Sequence, residues 1–317
     1  MKKILSLVLV AIMLVGMCLS FASCNQSTKI KVNPDKKEYV VGICQLMVHD
    51  SLDQATNGFK DALTAELEKE GRTVKFEFQV AGEAQYCSTV INTLTAKDVD
   101  LIMANATPAL SAAANGTANI PILGTSVTDY NDTFSGNIPA NVSGTSDAVP
   151  FDEQAKMMID TIGLNENSKV GVIYCTNESN SLIQYNAVKA LFEKEGIEVE
   201  AYTFSETTEL AAITNTAVSE CDAIYVPSDN TVAQNDSIVG TACNEKNVPV
   251  FTSYGGTICY ASLAIDYYQL GYETGVMAAK VLLGKEDITN MEVKTLTPTV
   301  VYNEELCAKL GIYVPQK

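Results

Sequence analysis

Val99–Leu110 reads VDLIMANATPAL and Cys221–Val232 reads CDAIYVPSDNTV. In both, an aspartate precedes a short apolar run, the run stops abruptly in polar or proline residues, and an amphipathic pattern follows. Consecutive apolar residues without alternation mark a strand covered on both faces, as in parallel sheets. The polar cluster at the strand's carboxyl end admits two readings. Asp, Asn, Ser and Thr cap helix starts, and the carboxyl ends of parallel strands are where open α/β sheets bind ligands.

These stretches are one pair in a longer repetition. VVGICQ (40–45) recurs as KVGVIY (169–174), EKEGRTVKFEFQV (68–80) as EKEGIEVEAYTFS (193–205), and IPILGTS (120–126) as VPVFTSY (248–254), all in the same order. Each half has helices alternating with strands, a glycine closing a Lys/Glu-rich helix (Gly71, Gly196) and a proline opening a short apolar strand (Pro121, Pro249). Glycine just past a helix end supplies the left-handed cap. The alternation predicts parallel α/β sheets, and the repetition predicts two similar doubly wound, Rossmann-like lobes. Facing one another, the lobes would bring every strand tip to one cleft.

The tips carry the candidate contacts. In the first half they are Gln45 and His49 in QLMVHDSLD (45–53), Thr107 and Pro108 in NATPAL (105–110), and Thr128 and Asp129 in TSVTDY (125–130). In the second they are Glu178, Ser179 and Asn180 in CTNESNS (175–181), Asp229 and Asn230 in PSDNT (227–231), and Tyr254 in TSYGG (252–256). Thr107-Pro108 has the form of a helix start, Thr as N-cap and Pro in the first helical position. Asp229 and Asp266 lack a nearby basic residue and suit a ligand ammonium or a helix cap equally. Tyr130, Tyr254, Tyr267 and Tyr268 cluster near these tips, and a tyrosine face can stack a flat ligand.

Composition narrows the function. At 317 residues and 47% apolar, the chain is long enough for two cored domains. A net charge of −17 repels nucleic acid, and no basic cluster offsets it. His49 is the sole histidine, and no G-x-S-x-G, H-E-x-x-H or G-x-x-x-x-G-K occurs. No catalytic residue, metal site or cofactor is therefore expected. Arg72, the sole arginine, follows a helix end away from the tips, so a ligand carboxylate must be held by hydroxyls and helix N-termini rather than by a guanidinium fork. Of nine cysteines, Cys18 and Cys24 fall near the N-terminus; Cys44, Cys87, Cys175, Cys221, Cys243, Cys259 and Cys307 are widely spaced. An odd set without C-x-x-C reads as small hydrophobes rather than a zinc site or a disulfide framework.

Lys2 and Lys3, the apolar Ile4–Val15 and Phe21-Ala22-Ser23-Cys24 form a secretory leader over 1–23. The apolar run is shorter than the about 20 residues that span a bilayer. The leader's end resembles a bacterial lipobox, with Phe21 where Leu is more usual. That implies cleavage before Cys24 and lipid on its thiol, leaving the protein on the outer face of the cell membrane. Residues 24–38 are polar and suit a tether.

The runs VGICQLMVHDSLDQATNGFKDAL, VDLIMANATPALSAAANGTANIPILGTSVTD, NVSGTSD, AIYVPSDNTV and AIDYYQLGYETGVMAAKVLLG, taken together, resemble the ABC-transporter substrate-binding lipoproteins whose better-known members bind aromatic amino acids. The resemblance runs from about Tyr39 to Pro315. It implies the periplasmic-binding-protein type I fold, with lobes of 39–148 plus about 255–286 and of 149–254 plus about 287–317 joined by three hinge crossings. It also implies an ABC permease and ATPase as partners. The ligand's α-amino and carboxylate groups would fall to Thr107, Pro108, Thr128, Asp129, Asp229 and Asn230. Glu178, Ser179 and Asn180 would close from the second lobe, and Asp266 would sit at a hinge. A sugar or nucleoside ligand, or a surface adhesin or sensor of the same fold, stays open at this point.

Overall fold

In the computed structural model, which describes residues 30–314, the first half runs β1 (Glu38–Gln45), α1 (Asp50–Lys69), β2 (Thr73–Val80), α2 (Cys87–Ala96), β3 (Leu101–Asn105), α3 (Thr107–Gly116), β4 (Ile122–Val127), α4 (Tyr130–Thr133) and β5 (Val142–Ser146). The second half begins α5 (Phe151–Ile162), β6 (Lys169–Cys175), α6 (Ser179–Lys194), β7 (Glu198–Phe204), α7 (Leu210–Glu220) and β8 (Ala223–Val226). It continues α8 (Asn230–Gln234), α9 (Asp236–Lys246), β9 (Val250–Thr252) and β10 (Ala261–Ala264). The chain ends in α10 (Tyr267–Leu282), β11 (Lys294–Thr295), β12 (Thr299–Tyr302) and α11 (Glu304–Leu310). The leader, Cys24 and residues 25–29 of the expected tether lie outside the described residues.

The strands form two six-stranded sheets, ordered β11-β5-β4-β3-β1-β2 and β12-β10-β9-β8-β6-β7. All pairings are parallel except β12 on β10. The order of the first five strands, 2-1-3-4-5, is the same in both sheets, so the internal repeat is a structural duplication of a doubly wound unit. The central strands are apolar throughout because both faces are covered: LIMAN in β3 and AIYV in β8 are buried at every position. Gly71 and Gly196 take the left-handed conformation (φ +66° and +80°) expected after their helices. All seven cysteines from Cys44 to Cys307 are free and buried, as small hydrophobes are.

Three segments cross between the lobes: 147–150 after β5, 265–266 before α10, and 296–298 between β11 and β12. The last two differ from the sequence-based boundaries. Residues 255–264 belong with lobe 2, since β10 pairs with β9, and residues up to Thr295 belong with lobe 1, since β11 pairs with β5. Gly255-Gly256 looked like the start of a crossing, but their positive φ values (+81° and +94°) only turn the chain from β9 to β10 inside one lobe. The expected tether is also shorter than 24–38. Lys31 N–H donates to the Asn119 carbonyl at 2.7 Å and Lys36 pairs with Asp100 at 2.6 Å, fastening this end to lobe 1.

After crossing back, α10 lies against α1 at very close range. A Cβ on Gly271 would stand 1.8 Å from the Ala55 carbonyl oxygen, and one on Gly58 would stand 2.0 Å from that of Tyr268. Only glycine allows this approach. The contact fixes the start of α1, with His49, relative to the start of α10, with Tyr267.

Candidate functional site

The strand tips of both lobes surround a small cavity. Lobe 1 and its hinge supply His49, Leu52, Ser126, Thr128, Asp147 and Tyr267; lobe 2 supplies Asn180, Ser228, Asp229, Asn230, Ala233 and Tyr254. The space is about 10 Å³, on the order of what one water needs. Through His49, Ala233, Tyr254 and Tyr267 it adjoins a larger crevice of about 960 Å³ on the side of β12 and the 265–266 crossing. Another crevice of about 520 Å³, touching Pro108 and Glu178, lies on the other side.

Hydrogen bonds hold the lobes together over the cavity. His49 Nε2 lies 3.2 Å from Asn230 Oδ1, and Gln184 Nε2 donates to Thr128 Oγ1 at 3.3 Å. Thr128 passes the chain on, donating to Asp147 Oδ1 at 3.2 Å, while Tyr267 donates its hydroxyl to Asp147 Oδ2 at 2.9 Å. Gln184 is anchored through its own carbonyl oxygen, which accepts from Ser228 N–H at 3.0 Å and Ser253 Oγ at 2.9 Å.

Three carboxylates lie in or beside this region, and their partners separate their roles. Asp229 Oδ1 accepts from Val232 N–H at 2.9 Å, and Oδ2 accepts from Cys175 N–H and Ser181 Oγ, both at 2.8 Å. Glu178 accepts from the N–H groups of Asn230 and Thr231 and from both of their side chains. These two fasten the start of α8 to the tip of β6, and their acceptor capacity is largely used within the protein. Burial raises the Asp229 carboxyl well above its usual range, and the charge of Glu178 raises it further. Asp147, 5% exposed, accepts from two neutral hydroxyls only. Burial raises its carboxyl too, with Tyr267 and Thr128 pulling the other way. A buried carboxylate with spare lone pairs facing a cavity suits an ammonium donor.

Around Asp147 stand buried polar atoms without partners. Among the described residues, Ser126 Oγ, Asn180 Oδ1 and Tyr254 OH make no hydrogen bond, and all three residues line the cavity. Buried polar groups are almost always paired in folded proteins, so three such atoms converging from two lobes point to a polar guest. The backbone is strained here as well: Ala106 (φ +88°) and Ser126 (φ +56°) are non-glycine residues in left-handed territory at the tips of β3 and β4.

The sequence-based candidates divide accordingly. His49, Thr128, Asn180, Asp229, Asn230 and Tyr254 line the cavity. The others do not. Gln45 is fully buried behind it, donating to Met47 O at 2.8 Å and Asp53 Oδ1 at 2.6 Å and accepting from Thr56 at 2.6 Å. Thr107 is buried one residue into α3, whose N-cap is Ala106 rather than Thr107, because the chain enters the helix from the strained Ala106. Pro108 faces the second crevice and Ser179 is exposed. Asp129 and Asp266 cap α4 and α10, accepting from Asp132 N–H at 3.0 Å and Gln269 N–H at 2.9 Å. Ser126, Asp147, Gln184 and Ser228 were not among the expected contacts, whereas Tyr267, one of the tyrosines expected near the tips, does line the cavity. Asp147 had a signal, since it ends the apolar-to-polar run VSGTSD at the carboxyl end of β5. Gln184, in mid-helix, had none.

Comparison with known proteins agrees with the fold and cleft. Residues 40–317 match the family described as ABC transporter substrate binding protein. The chain is 35% identical to a tyrosine-binding protein of Clostridioides difficile (strain R20291), over 98% of this chain and 93% of that one. Among solved structures it is similar to an ABC domain in complex with L-Trp from Streptococcus pneumonia, with TM-score 0.81 and 30% identity, covering 88% of this chain and 96% of that one. It is also similar to the ligand-free, open structure of a substrate-binding protein with adhesive properties from Clostridium difficile, with TM-score 0.65 and 32% identity, covering 87% and 96%. The poorer superposition on the open structure at like identity fits the hydrogen bonds that draw these lobes together. Two duplicated α/β lobes closing on a polar cavity, and a match over nearly the whole described chain, place this protein in the ABC transporter substrate-binding protein family.

Proposed function

We propose that the protein takes an aromatic α-amino acid (tyrosine, phenylalanine or tryptophan) between its lobes and hands it, chemically unchanged, to an ABC permease driven by its ATPase. The observation that carries this reading is the convergence of Ser126 Oγ, Asn180 Oδ1 and Tyr254 OH, all unpartnered, around the under-coordinated Asp147. In it, Asp147 receives the ligand ammonium and Asn180 Oδ1 accepts from the same group. Ser126 Oγ donates to the carboxylate. Tyr254 and Tyr267 give the ring aromatic faces, worth about 0.5–1.5 kcal/mol beyond burial. The ligand specificity named for the Clostridioides and Streptococcus relatives supports the aromatic class.

The cavity is too small for such a guest with the lobes in this arrangement, so the lobes part to admit it. The ligand then contributes contacts to both lobes only as they shut, which is how binding shifts an open–closed equilibrium. Cleavage before Cys24 and lipid on its thiol would hold the protein on the extracytoplasmic face of the membrane. An adhesive role comes to this chain only through the description of one relative.

A thermal-shift panel of the twenty amino acids with sugars and nucleosides tests the reading. The expected result is stabilisation by aromatic amino acids alone, by about 2.7 kcal/mol at a hundredfold excess over Kd. Stabilisation by a sugar or nucleoside instead would transfer the site to that class.

A further inference from the structure

The electrostatics of the cleft are one-sided. Six helices begin on the cavity or its two flanking crevices with a carboxylate at the cap or in the first turn: Asp50 of α1, Glu178 of α6, Asp229 of α8, Asp236 of α9, Asp266 of α10 and Glu304 of α11. Among the described residues, no lysine or arginine lines the cavity or either crevice. A helix N-terminus ordinarily favours an anion, but here each positive end already has a carboxylate beside it. Of the helices that start at this cleft, α3 alone has no acid at its beginning, and its Thr107 lies outside the cavity. A cation meets the opposite situation, with Asp147 in the cavity and the unpartnered Oδ1 of Asn180 beside it, each residue more than nine-tenths buried.

We propose that the cleft recognises the ammonium of its aromatic ligand and dispenses with the carboxylate, so that arylalkylamines, the decarboxylated counterparts of the aromatic amino acids, are ligands of the same site. This rests on the aromatic amino acid reading above. Removing the carboxylate deletes the group that must be desolvated next to Asp147 and among the acids of the rim, and keeps the group those acids attract. The same acids bias diffusional encounter toward net-positive ligands, an effect that salt weakens.

The test compares three pairs by calorimetry on the purified protein: tyrosine with tyramine, phenylalanine with phenethylamine, and tryptophan with tryptamine. For whichever ring binds best, the amine is expected within tenfold of the amino acid, with the larger loss on raising salt. The arylpropionate of the same ring, which keeps the carboxylate and lacks the amine, is expected to be at least a hundredfold weaker. An amine more than tenfold weaker than its amino acid overturns the inference and leaves the aromatic amino acid reading standing. Failure of every member of all three pairs overturns both. As a check on the cause, the rim variant D50N/D236N, at one exposed and one half-buried acid, should weaken the amine at least threefold more than the amino acid. An unchanged ratio removes the rim acids from the account.

Discussion

Tyr267 donates its hydroxyl to Asp147 at 2.9 Å, and the bond ties two of the three interlobe crossings together at the wall of the cavity. Asp147 follows β5 where the chain starts to leave lobe 1, and Tyr267 opens α10 just after the chain returns. The carboxylate proposed to hold the ligand is thus oriented by the hinge itself, so ligand charge and lobe closure act on the same bond.

Replacing Asp147 by Asn should separate stability from binding. Burial holds the folded carboxyl above its usual range, so its ionised form costs stability at neutral pH. That cost is present above the folded value and disappears as the pH falls through it. Asp147→Asn removes the cost, and the ligand-free protein should melt higher by roughly 2–4 °C for each 1 kcal/mol recovered. Ligand-induced stabilisation should vanish. A lower melting point with the ligand shift intact would show that Asp147 is structural.

Tyr267→Phe should weaken binding without unfolding the protein. Asp147 keeps Thr128 as its donor and loses a bond to a charged group worth about 1.5–3 kcal/mol. With less hydrogen bonding to its charged form, the carboxyl shifts further up. Because the ammonium needs an ionised partner, affinity falls as pH falls through the Asp147 value. In the variant this decline should begin at a higher pH, which calorimetry from pH 8 to pH 5 reads directly.

The His49–Asn230 contact bridges the two lobes, and burial lowers the His49 pKa, opposed by the Asn230 bond and by Glu178, Asp53 and Asp50. With a lowered folded value, the contribution of neutral His49 is complete above the ordinary histidine range near 6.5 and is lost as pH falls through the folded value. Acidification below the ordinary histidine range should therefore favour open lobes. Small-angle scattering should show the radius of gyration rising on acidification in the wild type. His49→Gln should flatten that response.

Gly271→Ala should damage the site from a distance. The new Cβ would stand 1.8 Å from the Ala55 carbonyl, so α1 and α10 must separate. Overpacking of this kind costs roughly 1–3 kcal/mol, and the shift displaces His49 from Tyr267. Thermal unfolding should show the lost stability, and affinity should fall although no residue of the cavity has changed. Unaltered affinity would show that the helix contact does not position the site.

The amino-acid sequence determined the architecture. Uninterrupted apolar runs at β3 and β8 specified strands buried on both faces, glycine and proline marked where helices ended and strands began, and the repetition specified two like lobes. It also determined where polar chemistry would gather, because strand ends in such sheets converge. It did not determine which polar tip faces a ligand. Asp129, Asp229 and Asp266 each accept from the N–H three residues ahead, and capping uses the same residue types as ligand binding, so sequence assigns them no single role. Asp147 shares their residue type but sits at a crossing, and its two hydroxyl partners come from 19 and 120 residues away. Nor did the sequence locate the second and third crossings, since β10 and β11 are assigned to their lobes by pairing rather than by composition. Those choices belong to the tertiary structure: the direction of a carboxylate is fixed by whichever donors the fold brings to it, and for Asp147 these come from stretches of chain that only folding sets side by side.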